Sequence, residues 1–82
     1  MDIATTDAIE RVARVLAAQR LSINAEGDNA HAGDAVDASW QDHQADAVAV
    51  LKVLREPDEA MERAGDIAVW QRMIAAALGD VA

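Results

Sequence analysis

The sequence has no cysteine, no tyrosine and no phenylalanine, and it has only one proline among its 82 residues. The absence of cysteine excludes disulfide bonds, thiolate zinc sites and thiol nucleophiles, and it suits a reducing compartment. No stretch approaches the roughly 18 consecutive apolar residues of a membrane span. The first residues have neither the basic start nor the apolar run of a signal peptide. We therefore expect a cytoplasmic protein that does not enter a membrane.

Basic residues are also scarce, since 7 Lys and Arg stand against 15 Asp and Glu, for a formal net charge of −8. Binding to nucleic acid or to an anionic membrane surface requires clustered cations that neutralise phosphates. The basic residues are instead spread from Arg11 to Arg72. We expect no direct binding to nucleic acid. An acidic exterior favours a protein partner with a basic surface.

Large apolar side chains are few, although 52% of the residues are apolar. Twenty of these residues are alanine, and only 23 are larger. This number suffices for one small core, and a chain of this length is marginally stable unless its helices are well formed or it oligomerises. Alanine-rich faces let helices approach closely within one chain or between chains. We therefore expect a single small helical domain over residues 1–82, and a homo-oligomer.

Helical spacing of apolar residues dominates, and alternation with a period of two is never sustained. In the first helix, Ile9, Val12 and Leu16 share one stripe. The pattern predicts an all-α fold, a small bundle of three to four helices at about 6–20, 40–55, 57–64 and 67–78.

Capping residues support most of these boundaries. Asp7, or a threonine just before it, is a suitable N-cap for the first helix, and Ser39 followed by Asp42 resembles a capping box for the second. Pro57 ends the second helix and suits the first turn of the next one. Gly65 and then Asp66 predict a stop followed by a new start.

Residues 21–38 have a different composition, with glycine, asparagine and aspartate among small alanines. We interpret this segment as a long loop. A loop of this length is unusual in so small a domain, so the segment is mobile, is functional, or contains a short turn of helix at about 32–36. Mobility is the interpretation we favour.

The sequence predicts no catalytic residues, no cofactor and no metal. Its glycines are isolated, so no phosphate-binding loop is formed, and its serines belong to no triad motif. His43 and Asp46 lie one helical turn apart, but the other histidine, His31, is in the predicted loop, and two ligands do not make a structural zinc site. A calcium loop starting at Asp28 lacks oxygen ligands at its third and fifth positions.

The two tryptophans, Trp40 and Trp70, are the largest side chains, and we expect each of them in the core or at an interface. Three arginines are further candidates for an interface, namely Arg55, Arg63 and Arg72. These arginines are also the anion contacts of one alternative function, in which a helical oligomer sequesters a small nucleotide.

A resemblance is carried by Leu-Arg-Glu-Pro at 54–57, Glu-Ala-Met at 59–61, Ala-Gly at 64–65 and Trp-Gln-Arg-Met-Ile-Ala-Ala-Ala-Leu at 70–78. Over about residues 40–78 the chain resembles small prophage-associated helical proteins of proteobacteria. The resemblance implies a phage or mobile-element setting, and it supplies no catalytic residue. We therefore expect a non-enzymatic, acidic helical module for protein-protein interaction. The alternatives are a phage counter-defence inhibitor that occupies a basic surface of a host complex, and the nucleotide-sequestering oligomer.

Overall fold

The computed structural model describes residues 3–24 and 32–79, and every regular element in these ranges is helical. The elements are α1 (Ala8–Asn24), α2 (Ala32–Ser39), a 3₁₀ helix (Trp40–His43), α3 (Gln44–Leu54), α4 (Glu59–Ala64) and α5 (Ile67–Ala77). The predicted all-α class is confirmed. In these ranges no helix has the length and apolar composition that crossing a membrane requires.

The internal contacts divide the chain into two compact units, residues 1–47 (the N-terminal unit) and residues 48–82 (the C-terminal unit), with the boundary inside α3. In the N-terminal unit, α1 packs against α2 and against the 3₁₀ helix. Among the described residues of this unit, the fully buried side chains are alanines, at Ala13, Ala17 and Ala47. In the C-terminal unit, Leu51 and Ile74 are buried. A single domain over residues 1–82 stays a prediction.

The loop predicted over residues 21–38 is wrong at both ends. Helix α1 continues for one turn beyond Arg20 to Asn24, and α2 occupies Ala32–Ser39. The short helix that we considered at 32–36 therefore exists and is longer than expected. Alanine is the best helix former, and its frequency in this segment outweighs the glycine. Residues 25–31, with Asp28 and His31, lie outside the described residues.

The predicted capping box at Ser39 is also wrong. The Ser39 side chain makes no capping hydrogen bond, and its Oγ donates to the Ala35 carbonyl at 2.8 Å. Ser39 is instead the last residue of α2, and the chain continues directly into the 3₁₀ helix before α3 begins at Gln44. The helix predicted over 40–55 is thus a 3₁₀ helix followed by an α-helix.

The other predicted caps agree with the structure. The Asp7 carboxylate accepts from the Glu10 amide at 2.8 Å, and the Asp66 carboxylate accepts from the Ala68 and Val69 amides. Helix α4 starts two residues later than predicted, because Asp58 is its N-cap and accepts from the Met61 amide. Gly79 follows α5 with φ of 81°, a conformation that glycine adopts at no steric cost.

Candidate functional site

A concave surface lies in the C-terminal unit, between α4 and α5. We call it the α4–α5 groove. It has a volume of about 310 Å³ and is lined mainly by apolar side chains, namely Pro57, Met61, Ala64, Ile67, Val69, Trp70 and Met73, together with Gly65 and Asp66. This volume is at the lower end of the ~300–1,000 Å³ that small binding sites occupy.

Local sequence explains how the two helices expose apolar side chains to the groove. Pro57, Met61 and Ala64 recur at helical spacing, which places them in one row along α4 and its entry. The two residues between α4 and α5 include Asp66, whose carboxylate caps α5 through two backbone amides. Both residues of this short junction, Gly65 and Asp66, line the groove.

The side chains that α5 contributes to the groove are incompletely covered. Ile67 and Val69 each leave 38% of their surface exposed, and Met73 leaves 61%. Of the α5 residues, only Ile74 is buried, and it lies on the same helix face as Ile67 and Trp70. The groove is therefore an open apolar surface.

Trp70 is fixed within the groove lining by a polar contact. Its Nε1 donates a hydrogen bond of 2.7 Å to the Leu54 carbonyl near the end of α3. The bond satisfies one of the carbonyls that a helix leaves unpaired at its C-terminus. The indole is thus half-buried and hydrogen-bonded to the end of α3. One part of it is covered by the protein, and the other part is accessible to a partner.

Trp40 occupies a different environment in the N-terminal unit. The Arg14 guanidinium lies 5.3 Å from the centre of the Trp40 ring, within the range of a cation–π contact. Arg14 also contacts the Asp37 carboxylate at 2.5 Å and the Glu10 carboxylate at 2.8 Å. Hydrogen bonds to Asp37 and then to Glu10 raise the pKa of Arg14 above its ordinary value. We call these four side chains the Arg14 cluster.

Sequence reasoning missed the Arg14 cluster, although part of it was visible. The four-residue spacing of Glu10 and Arg14 is typical of an ion pair on one helix face. Asp37 gave no such signal because it was placed in a loop. It lies on α2, which carries it to α1.

The three candidate arginines have distinct surroundings. Arg63 pairs with Glu59 at 2.7 Å, and both side chains are largely exposed. An anion at Arg63 has to displace this carboxylate. Arg55 is half-buried directly after α3, and Arg72 is exposed on α5.

Among the residues with described positions, no three His, Asp or Glu side chains are gathered as a metal would require. His43 is half-buried in the 3₁₀ helix, and Asp46 is exposed on α3. The paired carboxylates at Asp58 and Glu59 serve as a helix cap and an ion-pair partner.

Comparison of the chain with protein-family models, with curated proteins and with solved structures gives no match.

Proposed function

We propose that this chain is a non-enzymatic, acidic helical module for protein-protein interaction, of phage or mobile-element origin, that acts in the cytoplasm. The observation that carries the proposal is the α4–α5 groove. Apolar side chains gathered on one concave surface with polar residues at its edge are typical of binding sites. Scattered apolar residues elsewhere on the surface need no such explanation.

Side-chain chemistry in the groove supports binding over catalysis. Apart from Asp66, its lining side chains are apolar or aliphatic, and Asp66 is occupied in capping α5. A catalytic site needs a nucleophile or a general acid–base pair beside the substrate. Methionine is common at surfaces that adapt to a partner, and two methionines, Met61 and Met73, line this groove.

The proposal is tested by affinity capture from a proteobacterial lysate with chemical cross-linking and mass spectrometry. The tagged chain is compared with Met73→Glu, which places a charge in the groove at a largely exposed position. The matched control is Val15→Glu, because Val15 is 58% exposed on α1 in the N-terminal unit. We expect specific partners to be captured by the parent chain and by Val15→Glu and to be lost with Met73→Glu. Capture that is equal for all three proteins would contradict the proposal.

The phage setting rests on the resemblance over residues 40–78. Its test is the gene neighbourhood, where we expect genes for phage particle or lysogeny proteins. A neighbourhood of core metabolic genes would count against this origin.

A counter-defence inhibitor is the narrower form of the proposal, and the charge distribution favours it. Among its described residues the N-terminal unit has six Asp and Glu and three Arg. Such a surface is complementary to the basic surface of a nucleic-acid-binding complex. Charge reversal at Asp42 and Asp46 is expected to weaken capture of a basic host complex, and the loss should be greatest at low salt.

The homo-oligomer stays a prediction. Light scattering tests it by measuring the mass of the protein in solution.

A further inference from the structure

We infer that the occupant of the α4–α5 groove is an amphipathic helix of another protein, with an apolar face and with lysine or arginine along one side. This inference rests on the proposed function and names the chemistry of its partner. Three features of the groove lead to it: the spacing of its exposed side chains, its helical walls, and the charge along one edge.

The exposed side chains on α5 have the spacing of one helical turn. Val69 and Met73 are four residues apart, so they form a short apolar row that Ile67 and Trp70 flank. A groove of about 310 Å³ accommodates a few aliphatic side chains and is too small for a folded domain. An approaching helix presents such side chains at the same spacing, from positions three or four apart.

The walls of the groove favour a helical occupant over an extended one. An extended peptide gains much of its affinity by adding to the edge of a sheet. The described ranges contain helices and no strand, and the α5 amides of Ala68 and Val69 are already capped by Asp66. A helical partner satisfies its own backbone and needs only the apolar contacts.

One edge of the groove is acidic. Asp58 and Glu62 are one turn apart, in the row next to the one that contains Met61, and Asp66 lines the groove itself. Two cations lie on the same two helices: Arg63 pairs with Glu59, and Arg72 is exposed next to Met73. Residues 58–77 therefore contain four carboxylates against two arginines, and the surroundings of the groove are net negative. A helix with cations beside its apolar face complements this edge, whereas a second copy of the chain brings the same carboxylates to it. The charge therefore favours a basic partner over self-association at this site.

The test uses a fluorescein-labelled peptide of roughly 15 residues, long enough for about four helical turns. It has leucine at positions three and four apart and lysine on both sides of this face. The control peptide has the same leucines and has glutamate in place of lysine. Fluorescence anisotropy titrations measure Kd. We expect the Kd of the lysine peptide to be lower than that of the glutamate peptide by about tenfold or more. We also expect the circular dichroism spectrum to show that the lysine peptide becomes helical when it binds.

Two pairs of full-length variants locate the site. Met73→Glu is expected to weaken binding of the lysine peptide by about tenfold or more, and Val15→Glu is expected to leave it unchanged. Glu62→Lys is expected to weaken binding severalfold. Asp46→Lys makes the same change of charge on α3, outside the groove, and is expected to have a smaller effect. Circular dichroism of each variant verifies that the helices are retained.

Several outcomes would overturn the inference. Equal affinity for the lysine and glutamate peptides would show that charge at the groove does not select the partner. An equal loss of affinity for the lysine peptide with Asp46→Lys and with Glu62→Lys would show that the peptide responds only to the net charge of the protein. A dimer that Met73→Glu converts to a monomer would assign the groove to a second copy. If the lysine peptide does not bind while capture from lysate still depends on Met73, this inference fails and the proposed function stands. If the peptide binds and capture is independent of Met73, the proposed function fails instead.

Discussion

The two units of this chain bury different kinds of side chain. The N-terminal unit buries alanines, such as Ala13 and Ala17, and links its helices on the outside through Arg14. The C-terminal unit buries larger aliphatic side chains at Leu51 and Ile74, and it leaves others of the same kind exposed at the α4–α5 groove. Apolar content alone therefore does not identify the core. In one unit small residues allow close helix contact, and in the other large residues serve both the core and an open surface.

The comparison predicts different weak points, and the largest effect is expected in the C-terminal unit. Ile74 is only 7% exposed. Ile74→Ala is expected to lower the free energy of unfolding by about 2–4 kcal/mol, because it removes buried methyl groups and leaves a cavity. Urea denaturation followed by circular dichroism measures this loss.

The control for this prediction is Val53→Ala in the same unit. Val53 is 76% exposed, so its truncation should change the free energy of unfolding by less than about 0.5 kcal/mol. Similar losses for the two variants would mean that Ile74 does not form the core of the C-terminal unit.

In the N-terminal unit, enlarging a buried alanine side chain is the change that we expect to destabilise the fold most. Ala17 is fully buried on α1. Ala17→Leu is expected to cost about 1–3 kcal/mol, because added methyl groups force neighbouring helices apart. The control is Ala45→Leu on α3, where the side chain is exposed. A stabilised Ala17→Leu protein would show unfilled space around Ala17 and would remove the contrast between the units.

The smallest effect is expected at the Arg14 cluster. Arg14→Met retains much of the aliphatic length but loses the contacts to Asp37 and Glu10, so a small decrease in melting temperature is expected. The difference from the parent chain should shrink as salt is added, because exposed ion pairs are screened. A difference that is independent of salt would show that packing on Trp40, and not charge, is the main contribution.

The pH dependence of the Arg14 contribution follows from the direction of its pKa shift. The pKa of Arg14 is raised in the folded chain, chiefly by the hydrogen bond to Asp37. A raised pKa stabilises the folded state at every pH below the ordinary arginine value, and this stabilisation is lost only as the pH rises through the raised pKa. The titration of Arg14 therefore adds no pH dependence to stability near neutral pH.

Most helices could be predicted because their apolar residues have helical spacing and their caps are local. Asp66 illustrates this, since a carboxylate after Gly65 and before an apolar stripe marked the start of α5 correctly. Helix α2 could not be predicted in the same way. Its residues are mainly Ala, Gly and Asp, with Val36 as the one large apolar side chain, so no periodic stripe distinguishes it from a loop.

The candidate site was only partly predictable. Trp70 was identified by its size, whereas Val69 and Met73 lie beside the predicted stripe of α5 and gave no signal. Sequence periodicity tells which side chains share a face, but it does not tell how much of that face the neighbouring helix covers. The extent of coverage depends on the short α4 and on its junction with α5, which only the three-dimensional structure gives.

The placement of the two indoles has a practical consequence, since residues 1–47 contain one and residues 48–82 contain the other. Trp40 lies against a cation, and Trp70 donates to a carbonyl, so the two chromophores have different surroundings. Replacing either one with phenylalanine leaves a chain whose emission reports on a single half of the molecule. The order in which the halves lose structure can then be read from two otherwise identical proteins, without an added dye.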